Sequence, residues 1–191
     1  MLKKLFLCSL TLAALLFWVQ PAQSLQATES VSAVSDNDVR VIRLGDTFRV
    51  NVAVHTPVTP SQAWAVLTDF DHMSGFLPNL TSSQVMQRSD NLLKVAQKGV
   101  ARFGFFSKDF ESIREIEINP NIEIRANNIG GNLKRMQSVM QLQPEGTGTR
   151  LTYRADVEPG FWFPPMIGPS LVRHETAEQI SALLKEMLRR Q

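Results

Sequence analysis

From Val39 onward, hydrophobic positions recur with a period of two along most of the chain, interrupted by two stretches with a period near 3.6. The clearest alternation is Thr47–His55. Phe48, Val50, Val52 and Val54 fall on one face and Arg49, Asn51, Ala53 and His55 on the other, the pattern of a half-buried strand. Val39–Leu44 precedes it across Gly45-Asp46, a pair that suits a hairpin turn. Thr59-Pro60-Ser61-Gln62 then opens a helix: Thr59 caps it, Pro60 suits the first helical position and Gln62 completes a capping box. Ala63, Trp64, Val66, Leu67 and Phe70 carry this helix for about three turns, until Asp71-His72-Met73-Ser74-Gly75 breaks it.

The middle of the chain reads as consecutive antiparallel strands, Ser83–Arg88, Leu92–Phe106, Lys108–Ile118, Ile122–Asn127, Leu133–Gln143 and Thr149–Val157. Short turns rich in Asn, Gly and Pro separate them, among them Gly130-Gly131. A helix follows from about Ser170 to Arg190. Val172, Thr176, Ala177, Ile180, Leu183, Leu184, Met187 and Leu188 fall within a sector of roughly 160°, with Glu175, Glu178, Lys185, Glu186 and Arg189 outside it. This order predicts an α+β fold in which a curved antiparallel sheet of about seven strands wraps a long C-terminal helix. A curved sheet does not touch a straight helix along its whole length, and the gap between them is a place for a ligand.

The stretch Trp64-Ala65-Val66-Leu67-Thr68-Asp69-Phe70-Asp71-His72-Met73-Ser74-Gly75-Phe76-Leu77-Pro78 resembles the W-x-V-L-T-D signature of START-like (SRPBCC) proteins, closest to their polyketide cyclase/dehydrase and coenzyme-Q-binding group. Gly148-Thr149-Arg150-Leu151-Thr152-Tyr153 is similar to a G-T-x-L-x-Y strand of that family, and Glu186-Met187-Leu188-Arg189-Arg190 to its C-terminal helix end. The resemblance spans about residues 47–190. It implies a helix-grip fold with an internal pocket for a hydrophobic molecule. The superfamily includes lipid carriers, ligand binders and cyclases, so the resemblance alone does not choose among them.

The first 24 residues have a different character. Lys3 and Lys4 precede an apolar run from Leu5 to Val19, and Pro21-Ala22-Gln23-Ser24 offers small residues for cleavage after Ser24. The run is short for a membrane span, which needs about 20 residues. It reads as an export signal, sending the protein to the periplasm or outside the cell; the alternative is an uncleaved anchor. Residues 25–38 are small and polar and read as a flexible linker, leaving 39–191 as one domain.

Charge adds an exclusion. The chain has 20 Lys+Arg against 18 Asp+Glu, and Lys3 and Lys4 account for the excess, so the rest balances at 18 against 18. A balanced domain is no general nucleic-acid binder. The only cysteine is Cys8, inside the leader, so the domain offers no disulfide, thiolate zinc site or cysteine nucleophile. His55, His72 and His174 share no face with a spaced carboxylate, and no metal or cofactor motif appears. Asp69 is either a general base or a turn cap.

Candidate ligand contacts come from outliers on apolar rows. Phe110, Ser112, Arg114, Ile116 and Ile118 share the face that should turn inward. An unpaired charge there is costly, so Arg114 either pairs with a protein carboxylate or meets a ligand's polar end. Tyr153 lies on an apolar row with Leu151 and Ala155, and Met136 and Met140 on another. Phe103 belongs to an aromatic cluster near a bend at Gly104. Arg173 and Thr176 sit side by side in the apolar sector of the last helix; Arg173 either reaches the pocket mouth or makes a surface ion pair. Trp162 and Met166, in the apolar, proline-stiffened segment 161–166, either form the pocket rim or belong to a packed loop. As a rim they touch a membrane surface where the ligand enters. The partner these residues imply is a hydrophobic small molecule, lipid or quinone-like. An enzyme of the cyclase/dehydrase type is the alternative, with Tyr153, Arg114 and Asp69 as its only acid–base candidates.

Overall fold

The computed structural model describes residues 33–160 and 167–191, without the side chains of Phe103 and Phe106. The readings of the leader, of the Phe103 side chain, and of Trp162 and Met166 lie outside the described residues. Val31–Gln191 form one compact unit.

Eight strands form one antiparallel sheet: β1 (Arg40–Leu44), β2 (Thr47–Thr56), β3 (Leu80–Ser89), β4 (Leu92–Phe103), β5 (Phe106–Asn119), β6 (Glu123–Gly131), β7 (Arg135–Glu145) and β8 (Gly148–Glu158). Helix α1 (Pro60–Leu67) and a 3-10 turn, Phe70–Gly75, lie between β2 and β3, and helix α2 (Gly168–Arg189) closes the chain. The strand order is β1-β2-β8-β7-β6-β5-β4-β3. The α+β helix-grip architecture is as the sequence predicts, with eight strands instead of about seven. Gly130-Gly131 is no turn: both residues pair with β5, opposite Ile113 and Ser112, and β6 runs on to Gly131.

Local chemistry sets the boundaries. The Gln62 amide donates to Thr59 Oγ1 (3.3 Å) and the Thr59 amide to Gln62 Oε1 (2.9 Å), completing the capping box of α1. Thr68 ends that helix by donating its hydroxyl to the Trp64 carbonyl (2.8 Å), so α1 is shorter than its apolar pattern. Residues 36–38 make a 3-10 turn beside α2: the Val34 amide donates to Ser181 Oγ (2.9 Å), and Asp36 meets His174 (3.3 Å). The end of the segment read as a linker is therefore tied to the last helix.

Helix α2 has its main sheet contacts with β1, β2 and β4. Six steps of the strand order separate β1 from β4. In a flat sheet, at about 4.8 Å per step, they would lie roughly 29 Å apart, far more than the roughly 10 Å width of a helix. One helix touches both only because the sheet curls around it. A register irregularity, Ile113 opposite Gly130 and Arg114 opposite Asn128, leaves Ile129 as an extra residue on β6 and bends the sheet there.

Candidate functional site: a cavity under the last helix

Between the middle strands and α2 lies a cavity of about 260 Å³. Its walls are mainly apolar: Ile116, Ile124, Ala126, Met140 and Ala155 from the sheet, Phe70, Met73 and Leu77 from the 3-10 turn and the segment after it, and Leu171, Val172, Ile180 and Leu183 from α2. Strand alternation directs the sheet side chains there. Phe110, Ser112, Arg114 and Ile116 of β5 all line it, while Glu111 and Glu117 are exposed. Gly99 makes room for one of them. A Cβ on it would stand 2.6 Å from the Phe110 ring and 2.1 Å from the Asn79 carbonyl oxygen. The bare backbone of β4 lets Phe110, its cross-strand partner, lie over it.

The polar groups converge on β4, β5, β7 and β8. Arg114 Nη2 donates to Gln97 Oε1, and Gln97 Nε2 donates to Ser83 Oγ (3.0 Å) and contacts Met73 Sδ (3.6 Å). Ser83, Gln97 and Ser112 stand in one row across β3, β4 and β5. Arg114 Nε is buried with no hydrogen-bond partner, and among the described residues no carboxylate lies within ion-pair distance of the guanidinium. Burial pushes its pKa below the usual arginine value, with nearby Tyr153 opposing this. Arg114 lines the cavity and is half-buried. Burial raises the Tyr153 phenol, and Arg114 and Ser138 partly offset this, so the hydroxyl is a neutral donor at ordinary pH. The cavity thus has a cation with no protein partner at Nε, in a wall that also carries a phenol and two serines. A ligand oxygen, as a carbonyl, hydroxyl or carboxylate, satisfies that arrangement.

A second polar pair also lines the cavity. Glu175 of α2 accepts from Asn79 Nδ2 and from the Arg102 amide, both at 2.6 Å. This carboxylate is engaged with the sheet and does not neutralise Arg114. Asn79 Oδ1 is buried without a partner.

Of the residues proposed from sequence, the structure brings Phe110, Arg114, Met136, Met140, Tyr153 and Thr176 to the cavity. The Thr176 hydroxyl donates to the Val172 carbonyl (2.8 Å), which leaves it only as an acceptor toward a ligand. Arg173 does not line the cavity; it is partly buried on another side of α2. Sequence reasoning missed Gln97, although the signal was the one that marked Arg114: a polar residue in the row Leu93, Val95, Gln97. It also missed Glu175 and Asn79, which meet only through tertiary contact.

No acid–base pair of enzyme type faces the cavity from the histidines. His72 Nδ1 lies 2.6 Å from Asp69 Oδ1, but neither lines the cavity, and Asp69 Oδ2 also meets Arg190 (2.8 Å). Asp69 is thus a structural anchor; burial pushes its carboxyl up, but His72 and Arg190 outweigh this and hold it below the usual range. Among the described residues no cluster of three or more His, Cys, Asp or Glu side chains is placed to hold a metal. No helix of the described residues is long and apolar enough to cross a membrane.

A bent antiparallel sheet closed by one long helix over an apolar, polar-floored cavity defines the START-like helix-grip class. Solved structures agree. A START superfamily protein from Mycobacterium smegmatis matches with a TM-score of 0.64 at 14% identity, over 74% of this chain and 97% of its own. The Zhui aromatase/cyclase of Streptomyces sp. R1128 matches with a TM-score of 0.65 at 13% identity, over 75% and 95%. A STAR-related lipid transfer protein from Xanthomonas axonopodis matches with a TM-score of 0.63 at 17% identity, over 78% and 92%. At such identities these show the shared fold. No curated protein matches the chain by sequence. The sequence profile of the polyketide cyclase / dehydrase and lipid transport family matches residues 56–184, about two-thirds of the chain, and the protein belongs to that family.

Proposed function

We propose that the protein binds a hydrophobic small molecule, lipid or quinone-like, with its apolar body against α2 and an oxygen-bearing end on Arg114, and that it works as a carrier in the periplasm or outside the cell. The observation that carries the binding reading is the guanidinium of Arg114, buried and unpaired at Nε, in the wall of an apolar cavity. The leader pattern of residues 1–24 supports export. Small-molecule sites usually span about 300–1,000 Å³. At about 260 Å³ the cavity suits one ring system or one chain better than a two-chain lipid. Desolvation supplies the affinity, at roughly 0.8 kcal/mol per buried methylene, and the Arg114–Gln97–Tyr153 group supplies orientation.

Native mass spectrometry of the gently purified protein tests this. The expected result is a stoichiometric adduct that extracts into organic solvent and carries an oxygen function. Protein that stays unliganded after exposure to lipid and quinone extracts contradicts the reading. The cyclase alternative rests on Tyr153 and Arg114 facing one cavity. It replaces the carrier reading if the bound molecule changes mass by loss of water on incubation.

A further inference from the structure

The two sides of the cavity offer a ligand different hydrogen-bonding roles. On the sheet side the groups donate: the Arg114 guanidinium has no acceptor at Nε, and the Tyr153 phenol carries its proton. On the side of α2 they accept. Glu175 lines the cavity, half-buried, and takes two N–H donors, from Asn79 and Arg102. A carboxylate accepts only, and its oxygens offer about four lone-pair sites, so two donors leave capacity to spare. Thr176, next on the same helix, also lines the cavity. Its proton is committed to the Val172 carbonyl (2.8 Å), which leaves its oxygen as an acceptor.

Asn79 adds to this imbalance. Its Nδ2 donates to Glu175 Oε2 (2.6 Å), and a carboxylate oxygen can receive only that end of the amide, so the orientation of Asn79 is set. Its Oδ1 is then the atom left buried without a partner, in a residue only 7% exposed. An unanswered acceptor there is costly until a donor reaches it. Gln179, one turn further along α2, can take either role and does not change the balance. The accepting and donating groups are also separated along β4. The Asn79 backbone carbonyl accepts from the Val100 amide (2.9 Å), whereas Arg114 reaches Gln97, earlier on the same strand. At about 3.4 Å per residue, that separation is roughly 10 Å.

We propose that Glu175, Thr176 and Asn79 select the ligand by its hydrogen-bond donors. The cavity takes a molecule with an acceptor oxygen at one end, on Arg114, and a hydroxyl at the other, against α2. A quinone or an unsubstituted fatty acid fills only the first role. A hydroxylated ring or chain, a quinol among them, fills both. This rests on the cavity reading above and narrows it.

Calorimetric titration of the ligand-stripped protein with para-hydroxycinnamic acid, its methyl ether and plain cinnamic acid tests this. All three present a carboxylate to Arg114 on the same rigid frame, and only the first carries a donor at its far end. The hydroxy acid is expected to bind about tenfold more tightly than either of the others. Glu175→Gln keeps the shape but exchanges an acceptor for an amide donor, so the preference should fall to roughly twofold, with a melting curve showing that the variant is folded. Thr176→Val should reduce the preference about threefold. Arg114→Met should weaken all three acids alike. Equal binding of the three by the wild-type protein overturns the inference and leaves the cavity reading standing, as does a full preference in Glu175→Gln. Failure of all three to bind removes both.

Discussion

Arg114 reaches the cavity because β5 alternates strictly and the extra residue on β6 bends the sheet beside it. With Gln97 as its hydrogen-bond partner and Nε unpaired, its charge is costly to the ligand-free protein. Arg114→Met, of similar length and without charge, is expected to stabilise the ligand-free protein by about 1–3 kcal/mol while lowering ligand occupancy. Chemical denaturation of stripped protein and native mass spectrometry check the two halves. Lower stability with unchanged loading would make Arg114 a structural residue. Alternation along β5 was enough to single out Arg114. It was not enough to say whether a carboxylate answers it, because Glu175 lies 61 residues away in sequence and its engagement with Asn79 and Arg102 is a product of folding.

At the level of elements, α2 is held at three places. Its first half is tied to the sheet by Glu175, its outer side to residues 34–36 through Ser181 and His174, and its end to α1's neighbourhood. The last tie centres on Glu186, which the helical pattern placed outside the apolar sector and the structure buries. Arg189 Nη2 (2.6 Å) and Arg190 Nε (2.6 Å) both bond to Glu186, and Arg190 extends to Asp69 (2.8 Å). The hydrogen bond from Arg189, then that from Arg190, lower the Glu186 carboxyl to about 2 against the cost of its burial. The unfolded chain takes up this proton near 4.5, the folded protein only near 2. The stabilisation is therefore complete above pH 4.5 and is lost as pH falls through that window. Glu186→Gln is expected to cost about 1–2 kcal/mol at neutral pH, allowing for solvent screening of the exposed Arg189, and to flatten stability between pH 4.5 and 2. Urea titrations at several pH values check this. An unchanged acid slope would show that other carboxylates set it.

For the whole molecule, the decisive quantity is the space left where one helix spans a sheet that curls around it. Filling that space separates fold from function. Ser138 lines the cavity beside Tyr153, and Ser138→Leu adds apolar volume there at the loss of the Ser138–Tyr153 hydrogen bond. It is expected to change the melting temperature little, the added apolar contact offsetting the lost hydrogen bond, and to lower ligand occupancy about tenfold. Calorimetry and native mass spectrometry on the same sample read both. A drop in melting temperature with full occupancy would mean that the space is not the binding site.

The periodicity of the chain determined which segments are strands and helices, which face of β5 turns inward, and where α1 begins, because these depend on neighbours two to four residues apart. The Trp64–Pro78 and Gly148–Tyr153 stretches also pointed to the family. Tertiary structure alone decided that Gly130-Gly131 extends β6, that Arg173 stays out of the cavity while Gln97 and Glu175 enter it, and that Glu186 is buried. Each of these depends on which elements meet across the curl of the sheet. That curvature is a collective property of strand pairing, and it leaves no periodic trace along the chain.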